Sequence, residues 1–216
     1  MGFNMNFSTD RDLLAIEPAV FEDVPFAAQR RLNVSDGSAS GVTLTSASAD
    51  FVSAQVDAGA VVLVGGVAHE VLARIDASTL AVSLPRTHTN DPGIPSGDGT
   101  GLDVVVQTFS PQSGLVHDGL LRFIGIDTDD PDPDLTESAV LSLSLMARLE
   151  ALGTLEMVYS GAASLVGDND TLLMKAGEYR RRFRQACAGA TLSLDTDGDG
   201  LADKRLSLGT IRLTRA

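Results

Sequence analysis

The sequence predicts an α+β protein. The expected architecture is an α-helical bundle built on a C-terminal helix hairpin, with an inserted small antiparallel β-domain and a β-prone C-terminal tail. Three observations lead there. Apolar residues recur in steps of three and four over residues 136–189. Short β-branched runs, punctuated by Gly, Asp and Ser, fill residues 36–109. Beyond Gly189 the apolar pattern alternates. The expected division is therefore 1–35 as the N-terminal helical part of the bundle, 36–109 as the inserted β-domain, 110–189 as the bundle core, and 190–216 as an acidic loop and C-terminal β-arm.

Taken in order, Ser8-Thr9-Asp10-Arg11-Asp12 reads as a helix start with acids in the first turn. Leu13, Leu14 and Ile16 give it an apolar face before Pro18. Short helices are expected through Val20, Phe21 and Val24, and again around Phe26 to Leu32. At Ser35-Asp36-Gly37-Ser38 the period changes. Val42–Thr45, Val61–Val64, Val67–Ile75, Leu80–Leu84 and Leu102–Phe109 read as strands, with Gly65-Gly66 as a tight hairpin turn. Their shortness and frequent turns suit a small barrel or sandwich. Residues 85–101 are rich in Pro, Gly, Asp and Ser, the composition of a long loop.

Ser110-Pro111 reopens helix, with Val116, Leu120, Phe123 and Ile124 as its stripe. The acidic, proline-broken run Asp127 to Asp134 links it to a long helix starting at Thr136. That helix is expected to bury Leu141, Leu145, Leu149, Leu152, Leu155, Tyr159, Ala162 and Val166. Arg148, Glu150, Glu156 and Ser160 fall off the stripe. After a break at Gly167-Asp168-Asn169-Asp170, a second helix is expected to bury Leu172, Leu173, Ala176, Tyr179, Phe183, Ala186 and Cys187 and to end at Gly189. Two such helices with a short link form an antiparallel hairpin.

A chain of 216 residues with 44% hydrophobic content is globular, and its net charge of −13 argues against nonspecific DNA binding over the whole surface. The charge is uneven. Residues 171–216 hold nine of the 16 Lys and Arg but only five of the 29 acids. Arg180, Arg181, Arg182 and Arg184 either solvate one helix face or give the chain a polar axis for oriented docking. Because Met1 to Asp12 is polar, no export leader is expected, and no apolar run reaches the length of a membrane span. Cytoplasmic production is expected. The lone Cys187 reads as a buried, inert thiol.

One stretch has metal-ligand spacing. In Asp195-Thr196-Asp197-Gly198-Asp199-Gly200-Leu201-Ala202-Asp203, aspartates stand at loop positions 1, 3, 5 and 9 with glycine at 6. Asp195, Asp197, Asp199 and Asp203 are thus candidate calcium ligands. The bidentate glutamate of position 12 is missing, because Leu206 stands there. The other reading is a metal-free hairpin turn between Thr191–Leu194 and an alternating strand from Leu206 to Leu213. His69, His88 and His117 are scattered over strand, loop and helix. No catalytic residue and no other cofactor emerges, so the chain is expected to act by its surfaces rather than as an enzyme.

The order of parts, with Asp12-Leu13-Leu14, Glu17-Pro18, the Lys175-Ala176-x-x-Tyr179-x-x-x-Phe183 spacing and the following Asp195–Asp199 loop, resembles the head-to-tail connector (adaptor) proteins of tailed bacteriophages and gene transfer agents, of the HK97-type adaptor family. The resemblance covers residues 8–32 and 111–216; the β insertion departs from minimal members. It implies a homo-oligomeric ring in the virion neck, below the portal protein, docking a stopper or tail protein. DNA would pass through its channel without specific binding, and an acidic lining would let it slide. The surfaces expected to make contacts are Arg180, Arg181, Arg182 and Arg184 on the helix and Leu206, Leu208, Ile211 and Leu213 on the tail, which could add a strand to a neighbouring sheet. The same reasoning expects removal of residues 207–216 to spare the fold and abolish docking. The contrasting reading is a calcium-dependent binding module using the Asp195–Asp203 loop.

Overall fold

The longest strand lies where composition suggests a helix and a turn. In the computed structural model, which describes residues 6–26, 28–130, 133–166 and 170–209, Gln29–Ser40 form the 12-residue strand β1. The helix expected around Phe26 to Leu32 is therefore not formed from Gln29 onward; residue 27 lies outside the described residues. Leu32 and Val34, two apart, pack against the barrel core, a period that suits a strand. The Ser35-Asp36-Gly37-Ser38 run is a bulge within β1. Its pairing with β6 (Gly99–Thr108) slips between Val34 and Gly37. A Cβ at Gly37 would collide with the Val104 side chain and the Leu102 carbonyl, so only glycine lets the strands approach.

The remaining strands are β2 (Thr43–Thr45), β3 (Val61–Val64), β4 (Val67–Arg74) and β5 (Thr79–Ser83). Every pair is antiparallel, and the order β1-β2-β5-β4-β3-β6 closes into a barrel with no free edge. Gly65 and Gly66 both have positive φ, at 56° and 87°, as a type I′ turn between β3 and β4 requires. Leu44, Val62, Val71, Leu80, Val82, Val104 and Val106 fill the interior with Phe51 and Val56 from the β2–β3 connection. The stretch 85–98 is loop apart from one bridge between Leu84 and Ile94.

Helices α1 (Asp10–Ile16) and α2 (Val20–Asp23) belong to this barrel unit. The Thr9 amide donates to Asp12 at 2.8 Å, and Phe21 packs on Phe109 with ring centroids 4.9 Å apart. These helices were expected in the bundle. The chain instead forms two units, Thr9–Pro111 and Met1–Ser8 with Gln112–Ala216. The expected α-helical bundle with a small β insertion is thereby overturned. The protein is mixed α/β, and a closed six-stranded barrel with two helices of its own makes up one whole unit.

In the second unit, α3 (Ser110–Phe123) starts at the Ser-Pro pair. The long helix α4 runs Leu143–Val166, not from Thr136. Residues 137–139 make a single 3-10 turn, and Val140 bridges to Leu194 on β7 (Thr191–Leu194). Leu141 N donates to Ser193 O and Asp195 N to Ala139 O, so this stretch extends a sheet rather than winding into helix. Helix α5 spans Asp170–Gly189, and β7 pairs with β8 (Lys204–Ser207). Leu121, Met146, Leu149, Leu192, Leu194 and Leu208 meet in the core of this unit. The expected link residues Gly167, Asp168 and Asn169, and linker residues 131–132, lie outside the described residues. Among the described residues no helix is long and apolar enough to cross a membrane.

Candidate functional site

The α4–α5 hairpin carries the residues singled out as a docking face. Tyr159 and Tyr179 stack with centroids 5.6 Å apart and hold the helices face to face. Glycine at 153 allows close approach, since a Cβ there would come 2.7 Å from Val116 and 3.3 Å from Phe183. On the outer side of α5, the arginines have different employments. Arg180 Nε donates to Glu156 at 2.8 Å, and Arg181 forks onto Glu178 one turn earlier. The Arg182 guanidinium sits 5.1 Å from the Tyr179 ring centroid. Arg184 is exposed and has no polar partner among the described residues.

The hairpin ends in an apolar tip. Leu165 and Val166 at the end of α4, and Leu173 and Met174 at the start of α5, are 72%, 52%, 55% and 69% exposed. Val166 and Leu173 were expected in the buried stripes. At this end the covered side is narrower than the stripes assumed: Ala162, Ala163 and Leu172 are buried while Val166 and Leu173 beside them are exposed.

The acidic loop brings three of its four candidate ligands together. Oxygens of Asp195, Asp197 and Asp203 lie within 4.8 Å of one another, and Asp199 is not among them. The loop is also internally bonded. Asp195 accepts from the Gly198 and Gly200 amides at 2.7 and 2.8 Å, Asp203 accepts from Thr196 N at 2.8 Å, and Asp199 accepts from Leu201 N at 2.7 Å. The Gly200 amide foremost holds the Asp195 carboxyl below its ordinary range. Gly198 and Gly200 have φ of 80° and 84°, a conformation only glycine adopts without strain. A cation here would have three carboxylates and no bidentate fourth, so water would complete its shell.

Of the tail residues, Leu208 is 8% exposed and belongs to the core, and its amide donates to Ala190 O at 3.0 Å. Leu206 is half-buried against the same core. Neither is a free contact surface, so removing residues 207–216 would damage the fold it was expected to spare. Ile211 and Leu213 lie outside the described residues.

The sequence reading passed over a buried polar cluster. Glu150, assigned off the α4 stripe, is fully buried. It accepts from Phe7 N at 3.0 Å, Ser8 N at 2.9 Å, Ser8 Oγ at 2.6 Å and His117 Nδ1 at 2.9 Å. The other nitrogen of His117 lies 3.5 Å from Glu137, and Phe7 covers the imidazole at 4.5 Å. Burial pulls the His117 pKa down, but Glu150 and then Glu137 outweigh it and the net shift is upward. Ser8 donates to the carboxylate and not to the imidazole, so no activated nucleophile results. The signal was available: α4 has only Arg148, Glu150 and Glu156 as charged residues, and a helix so apolar is buried nearly all round.

The barrel unit has its own buried carboxylate. Glu70 on β4 is 1% exposed and accepts from Arg11 Nε at 2.9 Å and from Arg86 Nε and N at 2.7 and 2.9 Å. Burial would raise its pKa, but Arg86 and Arg11 overcome that and hold it low. His69 faces inward opposite Val62, with Nδ1 on Val67 O at 2.8 Å and a lowered pKa caused by burial. His69 and His117 are in different units and His88 is exposed, so no histidine cluster forms. No family model, curated protein or solved structure matches this chain.

Proposed function

We propose that this chain is a non-catalytic structural protein of a tailed bacteriophage or gene transfer agent. In this reading it is a head-to-tail adaptor that forms a homo-oligomeric ring in the virion neck, beneath the portal protein, and docks a stopper or tail protein. The observation that carries the reading is the α4–α5 hairpin. Its tip exposes Leu165, Val166, Leu173 and Met174, a cluster that a solitary soluble chain has no use for. Its α5 flank concentrates arginine in a chain of net charge −13. A basic flank and an acidic remainder on identical subunits favour head-to-tail contacts, which close into a ring when the rotation permits. The carboxylates of Glu150 and Glu70 are buried and fully engaged by neighbouring donors, as structural carboxylates are, although His117 Nε2 beside Glu150 has no hydrogen-bond partner among the described residues.

The test is stoichiometry. Quantitative mass spectrometry of purified particles should find this chain at the copy number of the portal subunit, and its absence from particles would sink the reading. A second reading, a calcium-dependent binding module, rests on the convergence of Asp195, Asp197 and Asp203. It is separated from the first by calcium titration followed by melting.

A further inference from the structure

The imidazole of His117 stands between two carboxylates of different freedom. Glu150 on α4 is as deeply buried as the ring and meets Nδ1 at 2.9 Å. The other nitrogen, Nε2, has no hydrogen-bond partner among the described residues. Glu137, in the single turn 137–139, lies 3.5 Å from it and is 33% exposed. That gap is too long for a charge-assisted hydrogen bond. The N-terminal segment brings the Phe7 ring at 4.5 Å and Ser8, whose hydroxyl is spent on Glu150. On α3 itself, Arg122 pairs with Asp129. The neighbouring core from α4, α5 and β7 is apolar through Leu149, Phe183 and Leu192, and its one titratable group is the half-buried Cys187 thiol, which burial keeps neutral. Glu150 and Glu137 are therefore the charges that act on the ring.

An ionised carboxylate only accepts, so Glu150 fixes a proton on Nδ1 whether the ring is charged or neutral. In the neutral ring Nε2 is then a bare lone pair facing an oxygen of Glu137, and two acceptors repel. In the imidazolium Nε2 is a donor, and the same pair closes to about 2.8 Å as a charge-assisted hydrogen bond. Glu137 has an exposed side through which to turn away to water; Glu150 has none. Burial favours the neutral ring, but Glu150 and then Glu137 outweigh it.

We propose that His117 is a proton-operated latch on the turn 137–139. The protonated ring bridges Glu150 to Glu137 and holds the turn against α3. The neutral ring releases Glu137 to solvent. The turn lies between the acidic stretch 127–136 and the residues that extend the β7 sheet, where Ala139 O accepts from Asp195 N at 2.8 Å and Val140 bridges Leu194. Proton loss therefore loosens both the approach to α4 and the anchorage of the acidic loop at Asp195. The latch lies wholly within the second unit and stands apart from the adaptor reading.

Hydrogen exchange in the full chain tests this. Ala139 N donates to Thr136 O and Val140 N to Glu137 O, both at 3.0 Å, so their protection factors read the turn. They are followed from about pH 5.5 to about pH 9, corrected for the pH dependence of free-amide exchange, while nitrogen NMR follows the ring. Protection should fall at least about tenfold as pH rises through the imidazole midpoint. In Glu137→Ala it should be low and flat, and the midpoint should drop by about one pH unit, because linkage makes the gain in protection on protonation equal the gain in proton affinity. Glu137→Gln has an amide that donates to bare Nε2 and a carbonyl that accepts from the protonated one, so it should stay protected at both ends. Glu137 is partly exposed, and both variants should fold like the parent. Three results would overturn the latch: parent protection that does not track the ring, a fall that persists in Glu137→Ala, or a neutral ring with its proton on Nε2, which would hold Glu137 without being charged.

Discussion

His117 Nδ1 lies 2.9 Å from a carboxylate oxygen of Glu150, and neither side chain reaches solvent. Glu150 also holds the backbone at Phe7 and Ser8, so one carboxylate joins α3, α4 and the irregular N-terminal segment of the unit. Glu150→Ala leaves two amides, a hydroxyl and an imidazole without their acceptor. It should cost roughly 3–5 kcal/mol of unfolding free energy by urea melts. Glu150→Gln keeps the shape but turns one oxygen into a donor, and should cost less than the alanine. A pH series adds a sign. The folded pKa of His117 is above its ordinary 6.5. Its charge therefore adds stability below that value, and the addition disappears as pH rises through the folded pKa. The stability gap between the parent and His117→Gln should be widest near pH 6 or below and shrink toward about pH 8. A flat gap would show that the imidazole is neutral throughout.

Asp10 is the opposite kind of carboxyl. It sits in the barrel unit with its oxygen on the Phe109 amide at 2.8 Å, and burial pushes its pKa from 3.8 to about 6 despite that bond. A raised carboxyl pKa means that ionisation opposes folding, so its contribution is fully favourable below about 4 and lost as pH climbs through about 6. Asp10→Asn retains an acceptor for the Phe109 amide without the charge. It should raise stability at pH 7–8 by at most about 3 kcal/mol and leave it nearly unchanged at about pH 4. Destabilisation at neutral pH would show that the charge is held by more than the Phe109 bond.

How much of this was legible in the sequence depends on how local the cause was. The Gly65-Gly66 turn and the ends of α5 follow from short-range chemistry, and the strands at 61–64 and 67–74 follow from β-branched runs. Strand β1 was missed because Asp36-Gly37 has turn composition; only the nearness of Val104 shows why glycine stands in a strand. The start of α4 was misplaced because residues 139–141 pair with β7, some fifty positions on in the chain. Barrel closure is likewise non-local: it depends on β1 meeting β6, and a chain read in order has no signal for that. The acidic loop was found by spacing alone. Glu150 was not, because helical periodicity assigns a polar residue to solvent unless the whole circumference is known to be covered.

The two glycines of α4 test the packing directly. At Gly153 an added methyl would sit 2.7 Å from the stiff Val116 side chain, whereas at Gly161 it would meet nothing. Gly161→Ala should therefore stabilise by about 0.5–1 kcal/mol through helix propensity. Gly153→Ala gains the same propensity but must push α3 away, and should be destabilising by about 1–2 kcal/mol net. Thermal melts of both variants check this, and equal effects would mean that α3 is not packed on Gly153.

For the acidic loop, three carboxylates without a bidentate fourth make a weak site. Calcium at about 10 mM should raise the melting temperature, and calcium at about 10 µM should not. The double variant Asp197→Asn/Asp203→Asn should abolish the rise while leaving the metal-free melt close to the parent, because both residues are exposed. A shift at micromolar calcium would favour the binding-module reading over the adaptor.

The hairpin tip distinguishes a ring-forming chain from a solitary one. Leu173 and Met174 are exposed, and neither belongs to the two core clusters described above. Leu173→Asp/Met174→Asp should thus change stability by less than about 0.5 kcal/mol, since surface substitutions away from packed features do little. If the tip is an intersubunit or portal contact, each fully buried side chain of this size contributes about 1.5–3 kcal/mol to association. Replacing both by charge should weaken assembly by at least about a hundredfold. Sedimentation of the purified variant, and its incorporation into particles alongside the parent chain, read this out. An unchanged melt with lost assembly is the signature of a docking surface. An unchanged melt with normal incorporation would remove the observation on which the adaptor reading rests.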